Sequence, residues 1–296
     1  YFINEMDRIR ADPSLVSLGI DKVIIASTHV HEGVDTVGLW GPDQFTSGLN
    51  MTYQQLTRAR TATAIRRAVE GLRPARMRVA QVVTANAMGS TLDYVNDVRD
   101  PVIYDPTVTI VQFTDAQTPA QTIATWVNWA AHPEYTGDHN NLLTADYVHA
   151  LRTTIEQGIP AERVAGLGGT AVFLNGALGG QVGPSGARPI GADGMPHPRY
   201  GTDKADACGL SVARLALMAI RDRGTDEAVT TLAYRTAPIA ARTDNIGYHA
   251  FYLSGTFDRE LTRFDRSRPL GGDNIPWIES RVTYFQLGPV AFISAP

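Results

Sequence analysis

Apolar residues at Phe2, Ile3, Met6 and Ile9 recur at helical spacing, so residues 1–10 are expected to form a helix with one apolar face. Val23 to Ala26 is a short, fully apolar run of the kind a buried strand carries. Thr52 followed by Gln55 fits a capping box, and Leu56, Ala59, Thr63, Ile65, Ala68 and Val69 continue a helix to Gly71. Val79 to Thr84 and Val108 to Phe113 alternate as half-buried strands do. Between them, residues 86–106 are irregular and polar. Thr122 to Ala131 is a further strand that runs into His132-Pro133. Thr144 to Glu156 is expected as a helix with Thr144 as N-cap and Asp146 in its first turn. Ala171 to Leu174 is a short strand that leads into the glycine-rich turn NGALGGQVGPSG, residues 175–186. Ala205 to Arg221 is a long amphipathic helix, and Thr230 to Ile239, Arg281 to Leu287 and Val290 to Ile293 are late strands, with Gly288-Pro289 marking a turn.

This alternation predicts an α/β fold, a mixed β-sheet with helices. No internal repeat or linker interrupts the 296 residues, so one domain over residues 1–296 is expected. The chain opens at Tyr1 without a methionine and stops directly after an apolar run, as a piece cut at both ends would.

Composition narrows the function. A hydrophobic share of 44% with 19% charged residues is the profile of a globular protein with a sizeable core. A net charge of −4, without any Lys/Arg run, argues against a nucleic-acid partner. No apolar run approaches the roughly 18 residues of a membrane span. The single cysteine, Cys208, cannot form an internal disulfide, which leaves the redox compartment open.

Candidate chemistry begins at STHVHEG, residues 27–33. His29 and His31 flank Val30, and on a strand residues i and i+2 point the same way. Two imidazoles there can share a metal, or one can bind it while the other handles protons. Neutral histidines bonded to backbone are the other reading of the same residues. His132 also ends an apolar strand, and functional groups collect beyond the carboxyl ends of strands in open α/β sheets. Asp35, shortly after the H-x-H, is a further candidate ligand. His139, His149, His197 and His249 sit in a polar loop, in a helix, between prolines and in an aromatic stretch, none of which marks a site. The five glycines of residues 175–186 let backbone N–H groups approach an anion or a developing oxyanion, or simply make a tight turn. The Gly-Lys-Ser/Thr ending of a phosphate loop is missing.

STHVHEGVDTVGLWG, NWAAHPEYTGDHNNLLTADYV and FLNGALGGQVGP occur in the order found in the neutral/alkaline, non-lysosomal ceramidase family, and the chain resembles its bacterial branch from about Ile20 to Pro296. The resemblance implies a ceramidase-like catalytic domain that depends on zinc and cleaves an N-acyl amide, releasing a fatty acid from a sphingolipid. It places zinc on His29 and His132 and puts His31 near the reacting groups. Arg99, upstream of Asp105-Pro106, corresponds to an arginine that contacts substrate or intermediate. The family's catalytic serine lies in a G-D-x-S-P turn. The matching turn here is Gly180 to Pro184, with Gly183 at the serine position, Gln181 in place of the aspartate and Ser185 one residue beyond the proline. A glutamate ligand in a P-G-E motif and a later tyrosine ligand would follow Pro296. The family is often secreted or periplasmic, which is compatible with export, and the sequence itself leaves compartment and oligomeric state open.

The first expectation is therefore a zinc-dependent hydrolase in which zinc-activated water attacks a ceramide-like amide, or a related amide or ester, reached in solution or from a membrane surface. A barrel-type metal amidohydrolase also opens with H-x-H at a strand end, but would need eight regular strand–helix units. A non-catalytic relative that binds an acyl ligand or glycan is the alternative outside enzymes, favoured by the missing serine.

Overall fold

The helical spacing at the start of the chain gives a short helix, α1 (Ile3–Arg10), in which Ile9 is buried. The computed structural model describes residues 3–84, 94–97, 99–181, 184–257 and 259–295; Phe2 and Gly183 lie outside them. Helix α2 (Pro13–Val16) follows, then α3 (Met51–Glu70). The cap of α3 is Asn50 and not Thr52: Asn50 Oδ1 accepts the Tyr53 N–H at 3.0 Å, so the cap lies two residues earlier and Thr52 lies inside the helix. The alternating segments become β1 (Ala75–Val83), β2 (Thr107–Asp115) and β3 (Thr122–Trp129). Helix α4 (Tyr147–Gln157) starts after Asp146. Thr144 does not cap it but accepts the Asp146 N–H at 2.8 Å, two residues before the helix proper. A two-residue hairpin, β4 (Gly158–Ile159) with β5 (Val164–Ala165), leads to β6 (Thr170–Asn175). Helix α5 (Thr202–Arg223), β7 (Thr225–Glu227), β8 (Leu232–Arg242), α6 (Ile246–Ser254), β9 (Trp277–Leu287) and β10 (Val290–Ile293) complete the order.

Val23–Ala26 departs from expectation. Residues 20–30 carry neither helix nor ladder, and Ile24 is 45% exposed. Four apolar residues become a strand only where a neighbour supplies hydrogen bonds, and no described strand pairs with them.

The elements gather into two compact units. One comprises Tyr1–Ile25, Val34–Leu72 and Thr231–Pro296. In it α1 and α2 pack on α3, and β10, β9 and β8 form an antiparallel sheet in which Leu232 pairs with Leu287 and Arg242 with Trp277. Gly288, at φ +55°, makes the turn between β9 and β10.

The other unit comprises Ala26–Gly33 and Arg73–Thr230. Its sheet runs β6-β3-β2-β1-β7, antiparallel except for the parallel pair β3 and β6. An open, mostly antiparallel sheet is not the closed parallel barrel of the amidohydrolases, which removes that reading. Helices α4 and α5 pack on the sheet, burying Val108, Ile110, Val127, Leu151, Leu215 and Ile220. Gly209 on α5 permits close approach to α4: a Cβ there would lie 2.3 Å from the Tyr147 carbonyl oxygen. Cys208 sits in this core, where burial pushes its thiol up and keeps it protonated. No described helix is long and apolar enough to cross a membrane.

Candidate metal centre

The parallel pair β3 and β6 ends in register, Trp129 opposite Asn175, and both strands release their chains at the same edge. Beyond that edge β3 continues through Ala130 and Ala131 to His132, which is 7% exposed. The His132 backbone N–H donates to the Gln181 carbonyl at 3.3 Å, and the ring Nδ1 lies 2.9 Å from the same oxygen. A carbonyl only accepts, so Nδ1 carries the proton and Nε2 keeps its lone pair. The glycine-rich turn thus fixes the tautomer of a candidate ligand, the usual role of a hydrogen bond behind a metal-binding imidazole.

His29 and His31 arrive from the segment Ala26–Gly33. They share a side by a different route from the one the strand reading expected. His29 takes φ +67°, a left-handed conformation that costs a residue with a Cβ on the order of 1 kcal/mol, so this segment is kinked where a strand would be straight. Downstream, the His31 N–H donates to the Pro133 carbonyl at 3.2 Å, and the Glu32 carbonyl accepts from Thr144 N–H at 3.3 Å. The result is a triangle of imidazoles: ring centroids are 4.7 Å apart for His29 and His132, 5.0 Å for His29 and His31, and 5.4 Å for His31 and His132. One nitrogen from each ring lies within 4.8 Å of the others.

Glu134, absent from the sequence-based candidates, completes the cluster. Its Oε2 lies 3.4 Å from His31 Nδ1. The signal was present in NWAAHPEYTG: His132 and Glu134 stand two apart, the same spacing that singled out His29 and His31. Partial loss of water, with the neighbouring His132 and His31 adding to it and Glu134 opposing, lowers His29 to about 4. Burial likewise lowers His132, again opposed by Glu134. Both imidazoles are therefore neutral near pH 7, the form that binds a metal.

Aromatic packing supports the site from below. Trp129 and Phe173 pack edge-on against Tyr147 at centroid distances of 5.6 Å each, and the Tyr147 hydroxyl donates to the Ala131 carbonyl at 3.0 Å. Next to it, Thr136 joins two carboxylates. Its N–H donates to Asp146 Oδ2 at 2.9 Å and its hydroxyl to Glu32 Oε1 at 2.5 Å. Burial raises Asp146 to about 7, with the charge of Glu32 adding to the effect and backbone N–H groups opposing it.

Arg99 is brought to the same turn but not into the imidazole triangle. Its guanidinium grips Asp97 through Nε and Nη2, at 2.9 Å each, and also donates to the Ile103 carbonyl. The bidentate contact with Arg99 holds the Asp97 carboxyl well below its usual range. The guanidinium lies against Gly180, where a Cβ would be 2.1 Å from Arg99 Cζ. Gly180 precedes Gln181, whose carbonyl holds His132 and whose Nε2 donates to the Ile103 carbonyl at 3.1 Å. At the far end of the turn the fully buried Lys204 donates to the carbonyls of Pro184 and Pro198, at 2.5 and 3.1 Å. Gly183, the position of the family's serine, falls outside the described residues. Asp35 is occupied elsewhere, accepting the N–H groups of Val37, Gly38 and Trp40. Of the remaining histidines, His139 and His149 are exposed, His197 pairs with Asp193 at 3.2 Å, and His249 bonds the Thr243 carbonyl.

The donor set fits zinc. Three imidazole nitrogens converge, at least two of the rings are neutral near pH 7, and the ring of His132 is oriented by the Gln181 carbonyl at Nδ1.

No protein-family model and no curated protein matches the chain. Among solved structures it is similar to neutral ceramidase from Pseudomonas aeruginosa, with a TM-score of 0.64 and 14% identity, covering 99% of this chain and 51% of that one. It is similar also to a ceramidase complexed with C2, with a TM-score of 0.66 and 16% identity, covering 99% of this chain and 53% of the other. The mixed α/β architecture is thus the ceramidase fold, as the three motifs implied, and the chain spans about half the length of the ceramidases it matches.

Proposed function

We propose that this chain carries the histidine centre of a zinc-dependent hydrolase that cleaves the N-acyl amide of a ceramide-like lipid, or a related amide or ester. The observation that supports this most directly is the convergence of His29, His31 and His132 beyond the carboxyl end of β3 in a ceramidase fold. His29 and His132, both neutral near pH 7, are the zinc ligands in this reading. Zinc bound there supplies Lewis acidity, polarising an acyl carbonyl and bringing the ionisation of water to about pH 7.

The chain's own groups handle the protons. His31, with Nδ1 toward Glu134, accepts a proton from the attacking water and returns it to the leaving amine nitrogen. The C–N bond breaks, a C–O bond forms, and the products are a carboxylic acid and an amine. Arg99, held rigid by Asp97, is the candidate contact for substrate oxygen. Because water is the nucleophile, no serine is required.

The test is hydrolysis of N-acylsphingosines, simple N-acyl amides and p-nitrophenyl esters by the full chain, before and after chelation and zinc replacement. Zinc-dependent turnover of one class, lost in His31→Ala with zinc retained, is expected. Metal-independent turnover, or none with zinc bound, would overturn the assignment and favour a binding protein.

A further inference from the structure

We infer that Asn175 is a positioning residue that sets the distance between the two backbone segments bearing His29 and His132. This rests on the metal-centre reading. Asn175 is the last residue of β6, where the ladder to β3 stops. Its side-chain amide takes over at that point. Nδ2 donates to the Ala131 carbonyl at 2.9 Å and to the Thr28 carbonyl at 2.9 Å, and Oδ1 accepts the Ala131 N–H at 3.3 Å. The two carbonyls only accept, so the amide nitrogen must face them, and both of its protons are used.

Ala131 immediately precedes His132, and Thr28 immediately precedes His29. One planar amide therefore clamps the residue before each candidate ligand. Downstream of His29 the segment is held through His31 and Glu32; Asn175 holds it upstream. With φ of His29 fixed in the left-handed region, the ring position follows the placement of Thr28, and only two side-chain torsions are left to correct an error.

Loss of the amide affects the two ends unequally. The Ala131 carbonyl keeps its bond from the Tyr147 hydroxyl and its place beyond the ladder, while the Thr28 carbonyl loses its bond to Asn175. Asn175→Ala should thus release the His29 segment and leave the sheet intact. Metal affinity, more than folding, should report the change.

The test is Co2+ titration of the full chain, read by visible d–d absorption. It compares wild type, Asn175→Ala, Asn175→Ser and Leu151→Ala, the last a buried α4 residue that loosens the core without touching the site. Asn175→Ala is expected to weaken Co2+ binding about 10- to 100-fold and to alter the band pattern, the size usual for groups that orient metal ligands. Leu151→Ala should unfold more easily yet keep affinity and spectrum. If Asn175→Ala does not fold, Asn175→Ser, whose one hydroxyl proton cannot serve both carbonyls, is read the same way. Wild-type affinity and spectrum in the Asn175 variants would overturn the inference, as would an equal loss in Leu151→Ala. Absence of Co2+ binding by folded wild-type chain would instead overturn the metal-centre reading on which it rests.

Discussion

Asp146 makes a sharp test of how the site is built. Folding leaves it 2% exposed, beside Glu32, and raises its carboxyl from 3.8 to about 7, chiefly by burial. The folded state therefore holds this proton more tightly than the unfolded chain. Below about pH 4 both states are protonated and the group costs nothing. As pH rises from 3.8 through about 7 the unfolded chain ionises first, and stability falls until the folded carboxyl also ionises. The full difference corresponds to about 4 kcal/mol, and the part lost between pH 5 and pH 8 is about 2 to 3 kcal/mol. Asn at this position can still accept the Thr136 N–H and has no charge to bury. Urea unfolding of wild type and Asp146→Asn, both freed of metal, at pH 5, 6, 7 and 8 isolates the effect, because every other titrating group is common to both. The stability of the variant relative to wild type should rise by about 2 to 3 kcal/mol across that range. Parallel pH profiles would refute the reasoning.

Other perturbations follow from single contacts. Asn50→Ala should cost about 1 kcal/mol by removing the cap of α3, and Thr52→Ala should cost far less; thermal unfolding distinguishes them. Gly180→Ala should drive the Arg99 guanidinium out of its place against the turn, since the new Cβ would overlap it. Turnover should fall with zinc content unchanged, and a crystal structure of the variant should show Arg99 moved. Glu134→Gln should lower kcat about 100-fold or more while zinc stays bound, as measured by steady-state kinetics beside metal analysis. Retention of full activity in that variant would exclude Glu134 from the proton path.

Where pattern and environment agreed, the elements were legible. The alternation of Val108 to Phe113 became β2, with Val108 and Ile110 buried in the core on one face and Thr109 and Phe113 only half-buried on the other. The spacing of Ala205 to Arg221 became α5, because a helix that packs against both the sheet and its neighbour α4 needs a wide apolar face. Caps were misplaced by two residues, at Thr52 for Asn50 and at Thr144 for Asp146, since all four side chains can cap and only the backbone decides which position is used. Val23 to Ala26 misled because a strand needs a partner, and nothing local specifies one. In the site, H-x-H and H-P exposed three imidazoles. Glu134 was passed over because a lone carboxylate in a loop is ordinary until a ring is found 3.4 Å away. The clamp made by Asn175 joins residues 147 positions apart, a relation that no short motif encodes.

Zinc content decides the central claim. Elemental analysis of the full chain, purified with zinc and freed of excess, should give about one zinc per chain, lost in both His29→Ala and His132→Ala while each remains folded by circular dichroism. A folded wild-type protein without zinc, or one that retains it after both substitutions, would contradict the account.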